Sequence, residues 1–226
     1  MRLRMPLLFS FLILAVMLAL SAWAWRILPA GARITTHWDA AGNPNGFMPK
    51  TLGLLILPAV GLGITALLSA IPLIEPRRQN LIASRQLYYS AWIGSLLVIA
   101  VSHVLTVMTA AGRHVNAPQI ILVTVSALMI VLGNYLGKSR STFMVGVRLP
   151  WTLTSEYAWQ KSNRLMGLFM IATGLAVYPV LYFFGVRAGF AVFAGGLALG
   201  AIVGTVSSYL YWRHDPNRQT GDTAQE

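Results

Sequence analysis

His37 and Asp39 stand two residues apart, with Asn43 and Asn45 close behind. An imidazole and a carboxylate at that spacing raise metal ligation or acid–base chemistry. A zinc site takes four ligands, and one His with one Asp falls short of that. The blander expectation is that Asp39 organises a turn, since a short carboxylate bonds the backbone just beyond it. Gly42-Asn43-Pro44 and Asn45-Gly46 are turn signals. The β-branched run from Arg33 to Trp38 before them suits a short strand. Trp38, Phe47 and Met48 are apolar groups that could meet a ligand or dip into lipid as anchors. His103 is the second candidate. It lies within an apolar run, beside Ser102 and close to Thr106. It could carry a proton or touch a ligand. With no second ionisable residue nearby, a neutral ring bonded to a neighbouring helix is the favoured reading.

The third candidate is Arg148, flanked by Val147 and Leu149 in the segment from Gly133 to Gly167. A guanidinium in that setting seeks a phosphate or a carboxylate, and Glu156 is the one acid in the segment. Asn134 and Tyr135 close the preceding apolar run, and Lys138 and Arg140 can reach lipid phosphates. Phe143-Met144-Val145 turns apolar again, so the chain is expected to touch the membrane. Gly146 permits close approach or a positive φ. Pro150 biases Leu149 toward extended geometry. Thr152 or Thr154 is expected to cap a helix carrying Trp159, Lys161, Asn163 and Arg164, with Glu156 in its first turn. Trp151 and Trp159 fit the headgroup level. The segment reads equally as an interfacial hairpin and as a docking surface for a cytoplasmic partner or for lipid.

The elements that must position these groups are membrane spans. Of 226 residues, 56% are hydrophobic and 10% charged, against about 25% charged in a soluble domain. Mean hydropathy is +0.65. A span needs about 20 mostly apolar residues. Six segments qualify: Pro6–Trp25, Leu52–Ile74, Tyr89–Ala111, Pro118–Leu136, Leu165–Phe184 and Ala188–Trp212. Arg2 and Arg4 before the first run, with Ala22-Trp23-Ala24 after it, also fit a cleavable leader. The run is long for one, however, and Trp23 and Trp25 suit an interfacial belt.

Alternating the six segments from an inside N-terminus puts twelve of the 17 Lys and Arg residues on the cytoplasmic side. Positive residues stay inside, so both termini and the Gly133–Gly167 segment are expected to be cytoplasmic. The net charge of +11 is then explained by topology and anionic lipid rather than by nucleic acid. There are no cysteines, which excludes disulfides and thiolate chemistry. All six acids, Asp39, Glu75, Glu156, Asp215, Asp222 and Glu226, fall outside the span centres. That argues against a proton-coupled transporter and against an intramembrane aspartyl or metallo enzyme. Gly196, Gly200 and Gly204 form a smooth helix face, for a contact within the chain or for a homo-oligomer. Pro58, Pro72 and Pro179 are expected to kink or end their spans.

The fold class expected is thus an all-α membrane protein with six transmembrane helices, a structured outer loop and a long interfacial inner loop. It divides into residues 1–51, the first span with the outer-loop module; 52–116, the second and third spans; 117–212, the last three spans; and 213–226, a disordered tail.

Two motifs resemble a known family. Gly133-Asn134-Tyr135, Phe143, Gly146-Val147-Arg148, Pro150-Trp151-Thr152-Leu153, Trp159, Lys161, Asn163-Arg164 and Gly167 follow the order seen in SdpI-type immunity and signalling proteins. Leu28-Pro29, His37-Trp38-Asp39, Gly42, Pro44-Asn45-Gly46 and Lys50 resemble that family's outer-loop module. Where the family has Pro-Asn before the aromatic, this chain has Ser141-Thr142. The resemblance implies a polytopic protein of the bacterial inner membrane, without cofactor, metal or catalytic residue, that protects against a secreted killing peptide. It also implies capture of a small cytoplasmic repressor, as in the family's best-known case. On that reading His37, Trp38, Asp39, Gly42, Asn45, Gly46 and Lys50 meet the ligand. Asn134, Gly146, Arg148, Pro150, Trp151, Trp159, Lys161, Asn163 and Arg164 meet the partner. A small-solute or lipid transporter using His103, and a membrane enzyme using His37, Asp39 or His103, are the alternatives.

Overall fold

The computed structural model describes residues 1–39 and 41–218. In order the elements are α1 (Arg4–Ile27), β1 (Arg33–Trp38), β2 (Pro44–Pro49), α2 (Lys50–Ile74), α3 (Arg78–Ala83), α4 (Arg85–Ala110), α5 (Ala117–Leu136), α6 (Pro150–Leu153) and α7 (Glu156–Arg213). The protein is mostly helical. Five helices, α1, α2, α4, α5 and α7, are long and apolar enough to cross a membrane. They follow the apolar runs because a helix satisfies its backbone polar groups internally, as hydrocarbon requires.

At 58 residues, a straight α7 would be about 87 Å long, nearly three times the hydrocarbon thickness. It does not run straight. Gly185, at φ 83° and ψ 179°, breaks the helix in a conformation that only glycine adopts readily. The chain then doubles back. Gly196 lies against Thr173, Gly200 against Phe169, and Gly204 against Met166. Rising numbers on one arm meet falling numbers on the other, so the arms are antiparallel. The stripe of Gly196, Gly200 and Gly204 is therefore taken up within the chain. That contact within the chain accounts for the spacing.

α4 packs against α1, α2 and α5, and α5 packs against α7. Close approach comes from small residues, as it must where lipid removes the hydrophobic drive between helices. The crossing of α5 and α7 puts Gly133 against the carbonyl of Gly167, where a Cβ would stand 2.5 Å from the oxygen. Three buried clusters fill the bundle. Ala24, Ile34, Leu54 and Val107 lie under the β-hairpin. Ile71, Leu81, Tyr88, Trp92 and Leu96 fill the opposite end. Leu122, Val177 and Leu181 join α5 to the α7 hairpin.

Several local expectations differ from the structure. α4 begins at Arg85 rather than Tyr89, and the short α3 precedes it. Pro58 and Pro72 lie inside α2, which continues through both. Leu149 is extended as expected, and Pro150 then opens the four-residue α6, since proline is pre-set for a first helical turn. Neither Thr152 nor Thr154 caps α7. Ser155 does, its hydroxyl accepting from the Ala158 N–H at 2.9 Å and donating to Asp215 at 2.5 Å. Residues 214–218 thus fold back on the start of α7. The rest of the predicted tail, 219–226, lies outside the described residues.

Candidate functional site

β1 and β2 pair antiparallel, Ile34 opposite Met48 and His37 opposite Gly46. Asp39 closes the turn between them. One carboxylate oxygen accepts from the Ala41 N–H at 2.8 Å and the Asn43 N–H at 2.9 Å. The other accepts from the Asn43 amide at 3.2 Å. The Asn43 backbone N–H, more than any other group, holds the Asp39 carboxyl below its ordinary range. His37 Nδ1 meets the Asn45 side-chain oxygen. The two chemistry-bearing residues of the loop are thus engaged in the hairpin. Gly42 has φ +90° at its tip, and a Cβ at Gly46 would stand 2.8 Å from that of His37.

Two contacts anchor the hairpin to the spans. Ile34 is fully buried and seats on Gly53, where a Cβ would stand 2.4 Å from its own. Lys50 is buried, and its ammonium donates to the carbonyls of Trp25 at 2.8 Å and Leu28 at 2.6 Å. It also lies 4.8 Å from the Trp25 ring centroid. These carbonyls belong to the end of α1, where unsatisfied acceptors and the helix dipole both favour a cation. Lys50 is therefore a cap on α1 rather than an exposed ligand contact.

Under the hairpin is a cavity of about 490 Å³, lined by residues 36–39 together with Leu57, Thr106, Ile121 and Phe190. Its walls are mostly apolar, with Thr36, Ser102 and Thr106 as hydroxyl-bearing exceptions. His103 faces the other way. Its Nε2 meets the Met17 carbonyl at 3.1 Å and the Ser21 hydroxyl at 3.0 Å. Ser21 in turn donates to the Leu54 carbonyl at 2.8 Å. A carbonyl only accepts, so Nε2 carries the hydrogen. His103 thus ties α4 to α1 and, through Ser21, to α2.

At the opposite end, the chain between α5 and α6 lies on the connection between α2 and α4. Glu75 is the centre of that contact. Its buried carboxylate accepts from the Phe143 N–H at 3.1 Å, the Met144 N–H at 3.0 Å and the Arg77 N–H at 2.9 Å. Arg77 stacks on Phe143, 4.8 Å from the ring centroid, and donates to Ser141 Oγ and the Leu153 carbonyl. The Asn80 amide donates to the Ser141 carbonyl at 2.8 Å, and Ser84 Oγ accepts from the Arg140 N–H at 2.9 Å. An irregular segment has no helix or sheet to absorb its backbone hydrogen bonds, and these side chains supply the partners. Thr142 Oγ1 donates to the Val145 carbonyl and accepts from its N–H. A hydroxyl closes this turn as an asparagine side chain can, where the chain departs from Pro-Asn.

The expected inner-loop residues divide into three groups. Asn163, Trp159, Gly146, Pro150 and Trp151 hold the loop's shape. Asn163 Oδ1 accepts from the Val147 N–H at 2.8 Å, and the Trp159 indole donates to the Ser139 carbonyl at 3.1 Å. Gly146, at φ +116°, sits on the Trp159 ring with no room for a Cβ. Pro150 opens α6. The Trp151 indole donates to Ser208 at 2.7 Å. Arg148 and Lys161 are exposed. Arg148 donates to the Phe143 and Met144 carbonyls, not to Glu156. Glu156 instead pairs with Arg140 at 3.6 Å, between two half-exposed side chains. Asn134 and Arg164 line a separate cleft between α5 and α7. Glu75, Arg77, Asn80 and Ser84 were not singled out in the sequence. Glu75 had one signal, an acid at the end of an apolar run, but nothing local named its partners.

Residues 138–208 match the model of the SdpI/YfhL protein family. Residues 12–62 match a domain of unknown function, DUF1648. The chain is similar to the Immunity protein SdpI of Bacillus subtilis (strain 168), at 25% identity over 204 residues, covering 90% of this chain and 94% of that protein. No solved structure matches. The resemblance to the SdpI-type family is borne out, over both motif-bearing regions. With its apolar helices, the chain is a multi-pass protein of the bacterial inner membrane.

Proposed function

We propose that this protein confers immunity on a bacterial membrane, as its Bacillus subtilis relative is named for doing. It crosses the bilayer six times, the two arms of α7 each making one crossing, with both termini cytoplasmic. The outer module recognises a secreted antimicrobial peptide. The observation that carries this is the cavity of about 490 Å³ beneath the β-hairpin. Trp38 and Asp39 line it, and its mostly apolar walls suit a hydrophobic side chain of the peptide. The inner loop is the output. Arg148 and Lys161 are exposed beside a segment pinned by Glu75, Arg77 and Asn163. That combination of rigid support and exposed cations suits docking of a small cytoplasmic repressor.

The test uses a strain sensitive to the killing peptide cognate to the family's best-known member. Expression of this chain is expected to raise survival. Trp38→Ala is expected to lose protection at unchanged membrane abundance. Protection equal to wild type in a well-expressed Trp38→Ala variant would remove the cavity from the account. Inverted accessibility of single-cysteine labels at positions 45 and 161 would overturn the orientation.

A further inference from the structure

The cleft between α5 and the first arm of α7 is not used by the immunity reading. It has a volume of about 340 Å³ and is lined by Asn134, Lys138, Arg164, Leu168 and Ile171, with Gly133 and Gly137 as its floor. Those two glycines create it. Gly133 abuts Gly167, and Gly137 abuts Arg164, where a Cβ would stand 3.0 Å from the arginine Cα. The close crossing lets Lys138, just past α5, and Arg164, on α7, line the same cleft.

The two sides of the cleft differ in chemistry along its length. Arg164, Leu168 and Ile171 lie one and two turns apart on the same helix face. Leu168 is 60% exposed. The cleft therefore has cations at its end and bare apolar groups below them. A second, polar depression shares Gly137 and Lys138 and adds Ser139, Arg140 and Gln160. Among the described residues, acids do not pair with the cleft's cations. Of the acids on this side, Glu75 is held by backbone N–H groups, Glu156 pairs with Arg140, and Asp215 accepts from Ser155. Among the described residues, no carboxylate pairs with Lys138 or Arg164. Lys138 has only a long contact of 3.4 Å to Asn134 and the Tyr135 ring at 5.6 Å.

We infer that this cleft binds one anionic glycerophospholipid, its phosphate held between Lys138 and Arg164 and an acyl chain lying along Leu168 and Ile171. Placing that lipid in the cytoplasmic leaflet rests on the orientation proposed above; the binding itself does not. Guanidinium and ammonium groups recognise phosphate as fork and point charge respectively. Asn134 and Gln160 supply neutral donors for the polar part of the headgroup. A lipid seated there would brace α5 against α7, next to the inner loop.

Purified full-length protein in nanodiscs provides the test, since both leaflets are present and orientation does not matter. Native mass spectrometry of the wild type is expected to show phosphatidylglycerol retained in preference to phosphatidylcholine. Each cation contributes roughly fivefold to retention if it acts as a basic group at an anionic surface, so Lys138→Gln/Arg164→Gln is expected to lose most of the preference. Arg85→Gln/Arg213→Gln removes the same charge from exposed positions outside the cleft, and is expected to keep it. Equal loss in both double variants would overturn the site in favour of diffuse surface attraction. Equal thermal stabilisation by inorganic phosphate in phosphatidylcholine discs would overturn it in favour of a free-anion site. The wild type lacking any lipid preference would overturn it without recourse to variants. None of these outcomes bears on survival under the killing peptide.

Discussion

The carboxylate of Glu75, at the end of α2, accepts the backbone N–H of Met144 at 3.0 Å, across 69 residues of chain. With Phe143 and Arg77 donating to the same group, one buried acid joins the α2–α4 connection to the inner loop. Hydrogen bonds to a charged acceptor are stronger than neutral ones, about 1.5–3 kcal/mol each.

Glu75→Gln leaves one acceptor oxygen and turns an amide N–H₂ toward backbone N–H groups. We expect a loss of about 2 kcal/mol in stability, and proteolytic cleavage within residues 139–149 that the wild type resists. An unchanged digestion pattern would show that the loop is held by other contacts.

Gly146→Ala is expected to cost more than an ordinary loop substitution. The residue sits at φ +116°, and the new Cβ would stand 2.5 Å from the Trp159 ring. Strain of about 1–3 kcal/mol from the backbone alone adds to displacement of the indole. Gly31→Ala meets nothing within 4 Å and serves as the neutral comparison in thermal unfolding.

The Asp39 turn gives a pH dependence of definite sign. Its folded pKa lies below the ordinary value of 3.8, chiefly through the Asn43 N–H. A depressed carboxyl contributes stability that is fully present above its unfolded pKa and lost as pH falls through the folded one. The hairpin is therefore expected to stay closed as pH drops to the ordinary carboxylate range and to loosen only below it. Amide chemical shifts of Ala41 and Asn43 report this directly. Asp39→Ala should abolish the transition.

Lys50→Met keeps the aliphatic stem but strips the ammonium from the Trp25 and Leu28 carbonyls. Two acceptors at the end of α1 lose a charged donor, at a cost of about 1.5–3 kcal/mol. Hydrogen exchange is expected to quicken at residues 24–30 while the far end of α1 is unaffected. Uniform quickening across α1 would mean that Lys50 supports the whole helix.

Arg148→Ala tests the output surface. Its side chain is exposed and bonds only the carbonyls of Phe143 and Met144. Membrane abundance and thermal unfolding should therefore change little, within about 1 kcal/mol, while protection is lost. Full protection in the well-expressed variant would remove Arg148 from the output surface.

What could be read in advance followed the range of the interaction. Asp39 was legible as a turn residue because its partner, Asn43, lies four positions on. The Gly196, Gly200 and Gly204 stripe announced a close helix contact. Its partner arm was open, because a smooth face fits a second copy as well as Thr173, Phe169 and Met166. Arg148 was matched to Glu156 since charge is visible in a string of letters. The carbonyls of Phe143 and Met144, its actual partners, are not.

By itself the sequence determined the membrane character of the chain, its apolar helices and its turns. Those depend on about 20 apolar residues in a row, on helix backbones satisfied within four residues, and on short side chains bonding their own turn. Only the tertiary structure decided that Glu75 would hold Phe143 and Met144, that Lys50 would cap α1, and that His103 would bond Met17 and Ser21. It also decided that Lys138 and Arg164 would share a cleft. Each of those joins groups from different elements, and their meeting depends on which helix faces which. That is set by close packing at Gly53, Gly133 and Gly167, where removing one Cβ lets two segments touch and fixes everything carried on them.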